Sequence, residues 1–205
     1  MKRVGVLALQ GAFIEHIAML QKLGVQAWPV RLPSDLEGAE GLIIPGGEST
    51  VMSKLMVEYH LLEPLERLAR GGLPIFGTCA GMILLAKDAI GLDLPSIGIM
   101  NIEVRRNAFG RQLDSFETEL SVPALGDKPF PAIFIRAPWI EQVGPEVKVL
   151  ACLPDGRAVA ARQENLLVSA FHPELTDDLR LHAYFLGLAE REARMAQEVR
   201  QGTPN

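Results

Sequence analysis

Residues 73–86 read Leu-Pro-Ile-Phe-Gly-Thr-Cys-Ala-Gly-Met-Ile-Leu-Leu-Ala, and this stretch decides the fold. Its first half is a short apolar run typical of a buried strand, and the segment after Gly81 is typical of a helix start. Between them, Gly77-Thr78-Cys79-Ala80-Gly81 is a cysteine form of the G-x-S-x-G nucleophile elbow. Small neighbours suit a tight, strained turn, and a helix start beyond Cys79 favours its thiolate. The alternative is a buried cysteine that packs as a small hydrophobe.

Strands and helices alternate around this stretch. Apolar runs predict strands at Val4–Leu9, Val25–Val30 and Gly41–Ile44, and helical spacing predicts helices at Ala12–Leu23 and Leu61–Arg70. A further helix follows Pro45-Gly46-Gly47, with Ser49 or Thr50 as its predicted N-cap. Strands alternating with helices at this spacing indicate βαβ units and a doubly wound parallel sheet.

Beyond Lys87 the pattern changes to short strands separated by turn signals such as Pro154-Asp155-Gly156. These strands are predicted at 102–105, 118–122, 132–135, 147–153, 158–162 and 166–170, as antiparallel hairpins attached to the main sheet. The last element is a helix over about Asp177–Val199 with a charged, solvated end. We therefore predict one α/β domain over residues 1–205, a doubly wound mixed sheet flanked by helices, with residues 190–205 as a charged end.

Composition narrows the function classes. The chain has 205 residues, 48% of them hydrophobic, and a formal net charge of -5 without a long basic run, which argues against nucleic acid as a partner. No stretch approaches the roughly 20 apolar residues that a membrane span needs. The apolar run after Met1-Lys2-Arg3 is short and favours a first strand over a signal peptide. Two cysteines without a disulfide framework favour a reduced, cytosolic protein, with Cys152 in a packing role on a strand.

A base for Cys79 has to come from one of four histidines. Three are interpreted as surface or packing residues: His16, His60 and His182. His172 differs because it follows a predicted strand and precedes Pro173, which favours an extended backbone. In extended chain, Glu174 projects to the same side as His172 and can orient its ring. The carboxyl ends of parallel strands meet at one sheet edge, so Cys79 and His172 can meet there. The alternative is that His172 and Glu174 are simply exposed on a turn.

Acyl transfer through a thiolate also needs hydrogen-bond donors for the developing oxyanion. The backbone N–H of Ala80 is one candidate. Gly46-Gly47, at the end of the third strand, offers another because glycine lets a backbone approach a ligand closely. An ordinary glycine turn before a capped helix explains the same residues equally well.

These motifs resemble those of the class I, or triad, glutamine amidotransferases, which share the elbow and Phe171-His172-Pro173-Glu174. Other segments are similar to the PdxT family, the glutaminase subunits of pyridoxal 5'-phosphate synthase. They are Leu9-Gln10-Gly11-Ala12-Phe13, Pro45-Gly46-Gly47-Glu48-Ser49-Thr50, Arg106-Asn107-Ala108-Phe109-Gly110-Arg111-Gln112 and Phe134-Ile135-Arg136-Ala137-Pro138. The resemblance runs from Val4 to about Leu188, and it implies the flavodoxin-like fold of that superfamily.

The resemblance implies hydrolysis of L-glutamine to glutamate and ammonia. Cys79 would form the glutamyl thioester, His172 would move protons, and Glu174 would orient His172. The implied glutamine-binding residues are Gly46, Gly47, Glu48, Arg106, Ile135 and Arg136, and the implied oxyanion-hole residues are Gly47 and Ala80. A guanidinium fork makes Arg106 suited to the α-carboxylate of glutamine.

The resemblance also implies a partner, a (β/α)8-barrel synthase subunit that receives the ammonia through a tunnel within a large hetero-oligomer. It implies no bound cofactor and no metal, and a glutaminase that stays weak until the synthase docks. Gln10 is either a participant in that coupling or an ordinary polar residue at a strand end.

Three other interpretations remain. One is the glutaminase subunit of imidazole glycerol phosphate synthase, against which the Arg106–Gln112 segment argues. Another is a catalytically silent binding protein or regulator, against which the intact cysteine, histidine and glutamate argue. The third is a cysteine hydrolase of γ-glutamyl peptides, which shares the elbow.

Overall fold

A computed structural model describes residues 3–106 and 115–188 of the chain. The strands are β1 (Arg3–Leu7), β2 (Gln26–Val30), β3 (Gly41–Ile44), β4 (Ile75–Thr78), β5 (Ala86–Ile90), β6 (Met100–Arg105), β7 (Ser115–Leu120), β8 (Phe130–Ile135), β9 (Trp139–Val143), β10 (Lys148–Cys152), β11 (Ala158–Gln163) and β12 (Leu166–Ser169). The helices are α1 (Phe13–Lys22), α2 (Ser49–Glu58), α3 (Leu62–Arg70), α4 (Ala80–Leu85) and α5, described over residues 180–188. Short 3-10 turns lie at Pro33–Leu36, Pro123–Leu125 and Pro173–Leu175.

The main sheet has ten strands, and its parallel half carries the site. Strands β2, β1, β3, β4 and β12 lie side by side in that order, and all four neighbouring pairs are parallel. This is the 2-1-3-4-5 order of a flavodoxin-like doubly wound sheet. Strands β11, β9, β6 and β5 continue the sheet, β10 pairs with β11, and β7 and β8 form a separate antiparallel ribbon. The predicted doubly wound mixed sheet is confirmed.

Two strands differ from the prediction. Strand β5 follows α4 directly and pairs in parallel with β6, where only antiparallel hairpins were expected. Strand β9 was not predicted, because Ile140 is its one fully buried residue and the apolar alternation is therefore too short to read. Both strands lie in the outer half of the sheet, away from the parallel strands.

The central strands are buried along their whole length, as their continuous apolar runs predict for parallel strands. Phe76 of β4 packs against Phe185 of α5, with ring centroids 5.8 Å apart. Helix α1 packs on the same side, since His16 meets the Phe76 ring edge-on at 6.2 Å. Helices α2 and α4 contact each other.

The path of paired strands through the sheet ends at β2 and β5, and β10 branches from it at β11. Strand β2 contains Pro29, in register with Val6, and β5 exposes Lys87 and Asp88. Cys152 closes β10 as an exposed free thiol, so the predicted packing role was wrong; the strand's buried residues are Leu150 and Ala151.

Within residues 3–106 and 115–188, no helix combines the length and apolar character that crossing a membrane requires. The predicted course of the last helix to Val199 and its charged end at 190–205 fall outside the described residues.

Candidate active site

Cys79 occupies a strained turn between β4 and α4. Its backbone has φ 47° and ψ -101°, a conformation that non-glycine residues rarely adopt. The flanking glycines make the turn possible: a Cβ at Gly81 would lie 2.1 Å from the Ile44 carbonyl oxygen, and one at Gly77 would lie 2.7 Å from the Gly81 backbone. The elbow read from the sequence is present, with Cys79 only 6% exposed.

Strand register brings His172 to Cys79. Ser169 of β12 pairs with Thr78 of β4, so the residues following these strands share one edge of the sheet. The backbone N–H of Cys79 donates to the Ser169 carbonyl oxygen at 2.8 Å. The imidazole of His172 forms a hydrogen bond with Cys79 and lies 2.7 Å, from Nδ1 to Oε1, from Glu174. The structure thus brings the three predicted residues together.

The charge on His172 follows from these contacts. Burial alone would lower the pKa of His172, but its hydrogen bonds to Cys79 and Glu174, with the charges of both groups, raise that pKa to about 10. His172 is therefore an imidazolium at neutral pH. A proton held on this ring beside the sulfur suits a group that delivers protons during acyl transfer.

Two further histidines lie behind Glu174. His16 of α1 and His182 of α5 are both fully buried, and His16 Nδ1 lies 2.9 Å from His182 Nε2. His16 Nε2 lies 3.2 Å from Thr78 Oγ1 and 3.3 Å from Glu174 Oε2. Neither was singled out from the sequence. His60 is exposed, as predicted.

The orientation of α1 explains why His16 was missed. Phe13, Ile17, Leu20 and Leu23 are the apolar residues at helical spacing in this segment, but the residues buried on α1 are His16, Met19 and Leu20. The i, i+3, i+4 spacing of those three residues was the available signal.

A cavity of about 440 Å³ opens over Cys79. Its lining contains Gln10, Gly47, Glu48, Ser49, Cys79, Ile83, Arg106, Ile135, Arg136 and His172. Gly46, Ala80 and Glu174 are not part of this lining, but each adjoins Cys79 or His172. Ser49 and Ile83 line the cavity and were not among the predicted site residues. The volume suits a small polar ligand.

The N-cap of α2 is Glu48, and not Ser49 or Thr50, the two residues predicted for that position. Its carboxylate accepts hydrogen bonds from the backbone N–H groups of Thr50 at 3.1 Å and Val51 at 2.8 Å. Burial raises the pKa of Glu48, but these bonds and the charge of Arg106 outweigh it and lower the pKa. The predicted cap was wrong because the longer Glu48 side chain reaches back to both donors.

Arg106 is held at the cavity wall by three acceptors. Its guanidinium donates to Glu48 Oε1 at 3.3 Å, to Thr50 Oγ1 at 3.1 Å and to the Gly91 carbonyl oxygen. Its side chain is 17% exposed, which leaves the head group accessible from the cavity. The rest of the Arg106–Gln112 segment lies outside the described residues.

Gln10 braces the glycine segment opposite Cys79. Its Oε1 accepts a hydrogen bond from the Glu48 backbone N–H at 2.6 Å, and a Cβ at Gly47 would lie 2.4 Å from the same oxygen. Across the cavity, Ile135 closes β8 and Arg136 follows with a positive φ of 44°. In the described part of the chain, no three His, Cys, Asp or Glu side chains are grouped to hold a metal ion.

Comparison with known proteins identifies the family. Residues 6–191 match the SNO glutamine amidotransferase family. A pyridoxal 5'-phosphate synthase subunit PdxT from Moorella thermoacetica is 62% identical over 184 residues, covering 90% of this chain and 97% of that protein. The PdxT subunit of Herpetosiphon aurantiacus is also 62% identical, covering 90% and 99%.

Solved structures also resemble the chain. One described as a glutamine amidotransferase is 49% identical, with a TM-score of 0.87, covering 91% of this chain and 98% of that one. PurLQS from Thermotoga maritima is 16% identical with a TM-score of 0.70, covering 91% and 98%, and this likeness concerns the fold alone. With its elbow, its histidine–glutamate pair and these relatives, the chain belongs to the SNO glutamine amidotransferase family.

Proposed function

We propose that the chain hydrolyses L-glutamine to L-glutamate and ammonia as the glutaminase subunit of a pyridoxal 5'-phosphate synthase. The observation that carries this proposal is His172, which bonds Cys79 on one side and Glu174 on the other at the floor of a cavity. Relatives 52–62% identical to the chain are named as that subunit, so a glutaminase of another amidotransferase is not favoured.

The reaction proceeds in two steps through a thioester. The Cys79 thiolate attacks the side-chain amide carbon of glutamine, and the imidazolium of His172 gives its proton to the leaving nitrogen, which departs as ammonia. His172, now neutral, takes a proton from water, and the hydroxide attacks the thioester carbon. Glutamate leaves and Cys79 is regenerated, with the imidazolium restored. Glu174 keeps Nδ1 of His172 directed away from the sulfur.

The oxyanion of each tetrahedral intermediate needs donors close to the sulfur. The backbone N–H of Ala80, at the first turn of α4, and that of Gly47 serve this role. The Gln10 side chain accepts a hydrogen bond from the Glu48 backbone N–H and so fixes the backbone next to Gly47. Gln10 therefore connects the oxyanion hole with the surface of the chain.

Substrate binding uses the polar wall of the cavity. Arg106 pairs with the α-carboxylate of glutamine. Hydrogen bonds to the ligand then replace some of those that its guanidinium donates to Glu48 and Thr50. Gly47 and Glu48 form one side of the site, with Gly46 next to them in the chain, and Ile135 and Arg136 form the other, as the cavity lining allows.

The ammonia passes to a (β/α)8-barrel synthase subunit within a large hetero-oligomer in the cytoplasm. The names of the relatives, which describe a subunit of a synthase, support the partner. Two free cysteines, one of which has to be reduced for the chemistry, support the reducing compartment.

The test is ammonia release from glutamine by the full chain, alone and with a pyridoxal 5'-phosphate synthase subunit. We expect the synthase to raise the rate, and Cys79→Ala to abolish turnover while still forming the complex. Cys152→Ser is the matched control, because that thiol is exposed on β10, and it should retain full activity. No binding and no activation by the synthase would contradict the proposal.

A further inference from the structure

The carboxylate of Glu174 has one oxygen that the triad does not use. Oε1 faces His172, but Oε2 is buried and meets no hydrogen-bond partner of ordinary geometry among the described residues. A carboxylate oxygen withdrawn from water without a donor is costly, because nothing replaces the hydrogen bonds that water would give it. His16 Nε2 lies 3.3 Å from Oε2, with both side chains fully buried, so this nitrogen is placed to be the missing donor.

The proton positions follow from His182. A 2.9 Å contact between His16 Nδ1 and His182 Nε2 needs one hydrogen between the two nitrogens. If His182 donates it, His16 Nδ1 is an acceptor, and the proton of neutral His16 sits on Nε2, facing Glu174. His182 Nδ1, which has no partner in the described structure, is then a bare acceptor.

The opposite arrangement is worse on two counts. If His16 donated from Nδ1, its Nε2 would carry no proton and Glu174 Oε2 would have no donor. His182 would then bear its proton on Nδ1, as a buried N–H without a partner, which folded proteins rarely tolerate. Thr78 Oγ1, 3.2 Å from the same Nε2, can accept from it or donate to it and so fits either arrangement. The buried carboxylate oxygen and the buried N–H therefore favour the first arrangement.

Both rings are neutral and firmly placed. Glu174 faces two titratable side chains, His172 and His16, and its one negative charge already balances the imidazolium of His172. Burial, then the neighbouring His182 and His172, hold the pKa of His16 well below its usual value, and burial lowers the pKa of His182 to about 4. The edges of both rings pack against Phe76, at centroid distances of 6.2 and 5.9 Å.

We propose that His16 is a positioning residue for catalysis, whose Nε2–H holds Glu174 against His172, and that His182 sets the tautomer of His16. The inference rests on the proposed role of Glu174 in the triad. It links Cys79 to helix α5 through four successive side chains: His172, Glu174, His16 and His182.

The test compares two replacements of His16 in the full chain with the synthase subunit present. His16→Leu removes the donor and leaves an apolar side chain of similar size, whereas His16→Gln places an amide N–H near the position of Nε2. We expect kcat to fall about tenfold to a hundredfold in His16→Leu, the range seen when partners that orient metal-binding histidines are lost. KM should stay within about twofold, because His16 is not part of the cavity lining. His16→Gln should recover most of kcat.

The second readout needs no substrate. The pKa of His172, followed by NMR in histidine-labelled protein, should fall below about 10 in His16→Leu and return toward it in His16→Gln, because a displaced carboxylate no longer supports the imidazolium. His182→Leu should act in the same direction more weakly, and His182→Gln should reverse it. Urea unfolding of each variant separates this effect from loss of fold.

Two outcomes overturn the inference: wild-type kcat and His172 titration in His16→Leu, or no recovery in His16→Gln. A chain that hydrolyses no glutamine, yet shows the expected order of His172 titration, would refute the proposed function and support the positioning role.

Discussion

Gly46 lies so close to the imidazole of His172 that a Cβ on it would lie 2.3 Å from Cε1 and 2.9 Å from Nδ1. The same Cβ would lie 3.3 Å from Cβ of Cys79. The glycine after β3 therefore leaves the space in which the histidine reaches the sulfur. Glycine is required at this position because a side chain would not fit, and not because of backbone conformation, since Gly46 is not among the glycines with a positive φ.

Gly46→Ala should reduce turnover by about a hundredfold or more, because even a small displacement of a reacting group is costly. Ammonia release under saturating glutamine measures it, with circular dichroism as the test of folding. Gly187→Ala in α5 is the control, since a Cβ there meets nothing within 4 Å. That variant should keep activity and gain roughly 0.5–1 kcal/mol of stability. An active Gly46→Ala would contradict the steric account.

Glu48→Ala should lower the free energy of unfolding by about 1 kcal/mol, since α2 loses the carboxylate that accepts from Thr50 and Val51. Glu48→Gln, which keeps an acceptor oxygen, should lose less than Glu48→Ala. Urea denaturation measures both. Glu58→Ala, at the exposed end of the same helix, should be neutral or slightly stabilising, because a negative charge there opposes the helix dipole. Equal losses for the two Glu48 variants would rule out the cap.

The turnover number should fall at alkaline pH as His172 loses its proton, with an apparent pKa near 10. The same group makes stability depend on pH. Its contribution is fully present below pH 6.5, the unfolded value, and is lost as pH rises through about 10. Glu174→Gln should move the alkaline limb of the turnover-against-pH profile to lower pH. Glu141→Gln, an exposed carboxylate on β9, should leave it in place.

Acid should destabilise the fold through the buried histidine of α5. The pKa of His182 is lowered to about 4, so between pH 6.5 and that value the unfolded chain binds a proton that the native state does not. Stability therefore falls as pH falls through this window, by roughly 2 kcal/mol between about pH 7 and about pH 5. His182→Leu lacks this proton, and its stability should fall less steeply with acid than that of the wild type. Equal slopes of unfolding free energy against pH for His182→Leu and the wild type would contradict the prediction.

Arg180→Ala should lower the free energy of unfolding by about 1–3 kcal/mol. The Arg180 guanidinium donates to the carbonyl oxygens of Lys128 at 2.7 Å and Pro129 at 2.8 Å, and so ties α5 to the segment that leads into β8. Because β8 ends at the cavity wall, KM for glutamine should rise as well. Arg67→Ala, which removes an exposed pair with Glu63, should cost 0.5 kcal/mol or less.

Local patterns were enough to predict that Cys79, His172 and Glu174 meet, and to predict the parallel half of the sheet. An elbow and a His-Pro-Glu turn are short motifs at strand ends, and strand order then brings Cys79 and His172 together. The contact between His16 and His182 spans 166 residues of sequence, so no local pattern contains it. The cap of α2 was missed because Glu48 was assigned to the substrate, and it serves the helix through its backbone-directed carboxylate.

The described edges of the main sheet limit how the chain can associate. At β2, Pro29 supplies no N–H, and at β5 the exposed Lys87 and Asp88 place charge along the border. Both features discourage another strand from pairing with the sheet at β2 or at β5. At these two edges, contacts with another protein are therefore expected from side chains and not from strand pairing.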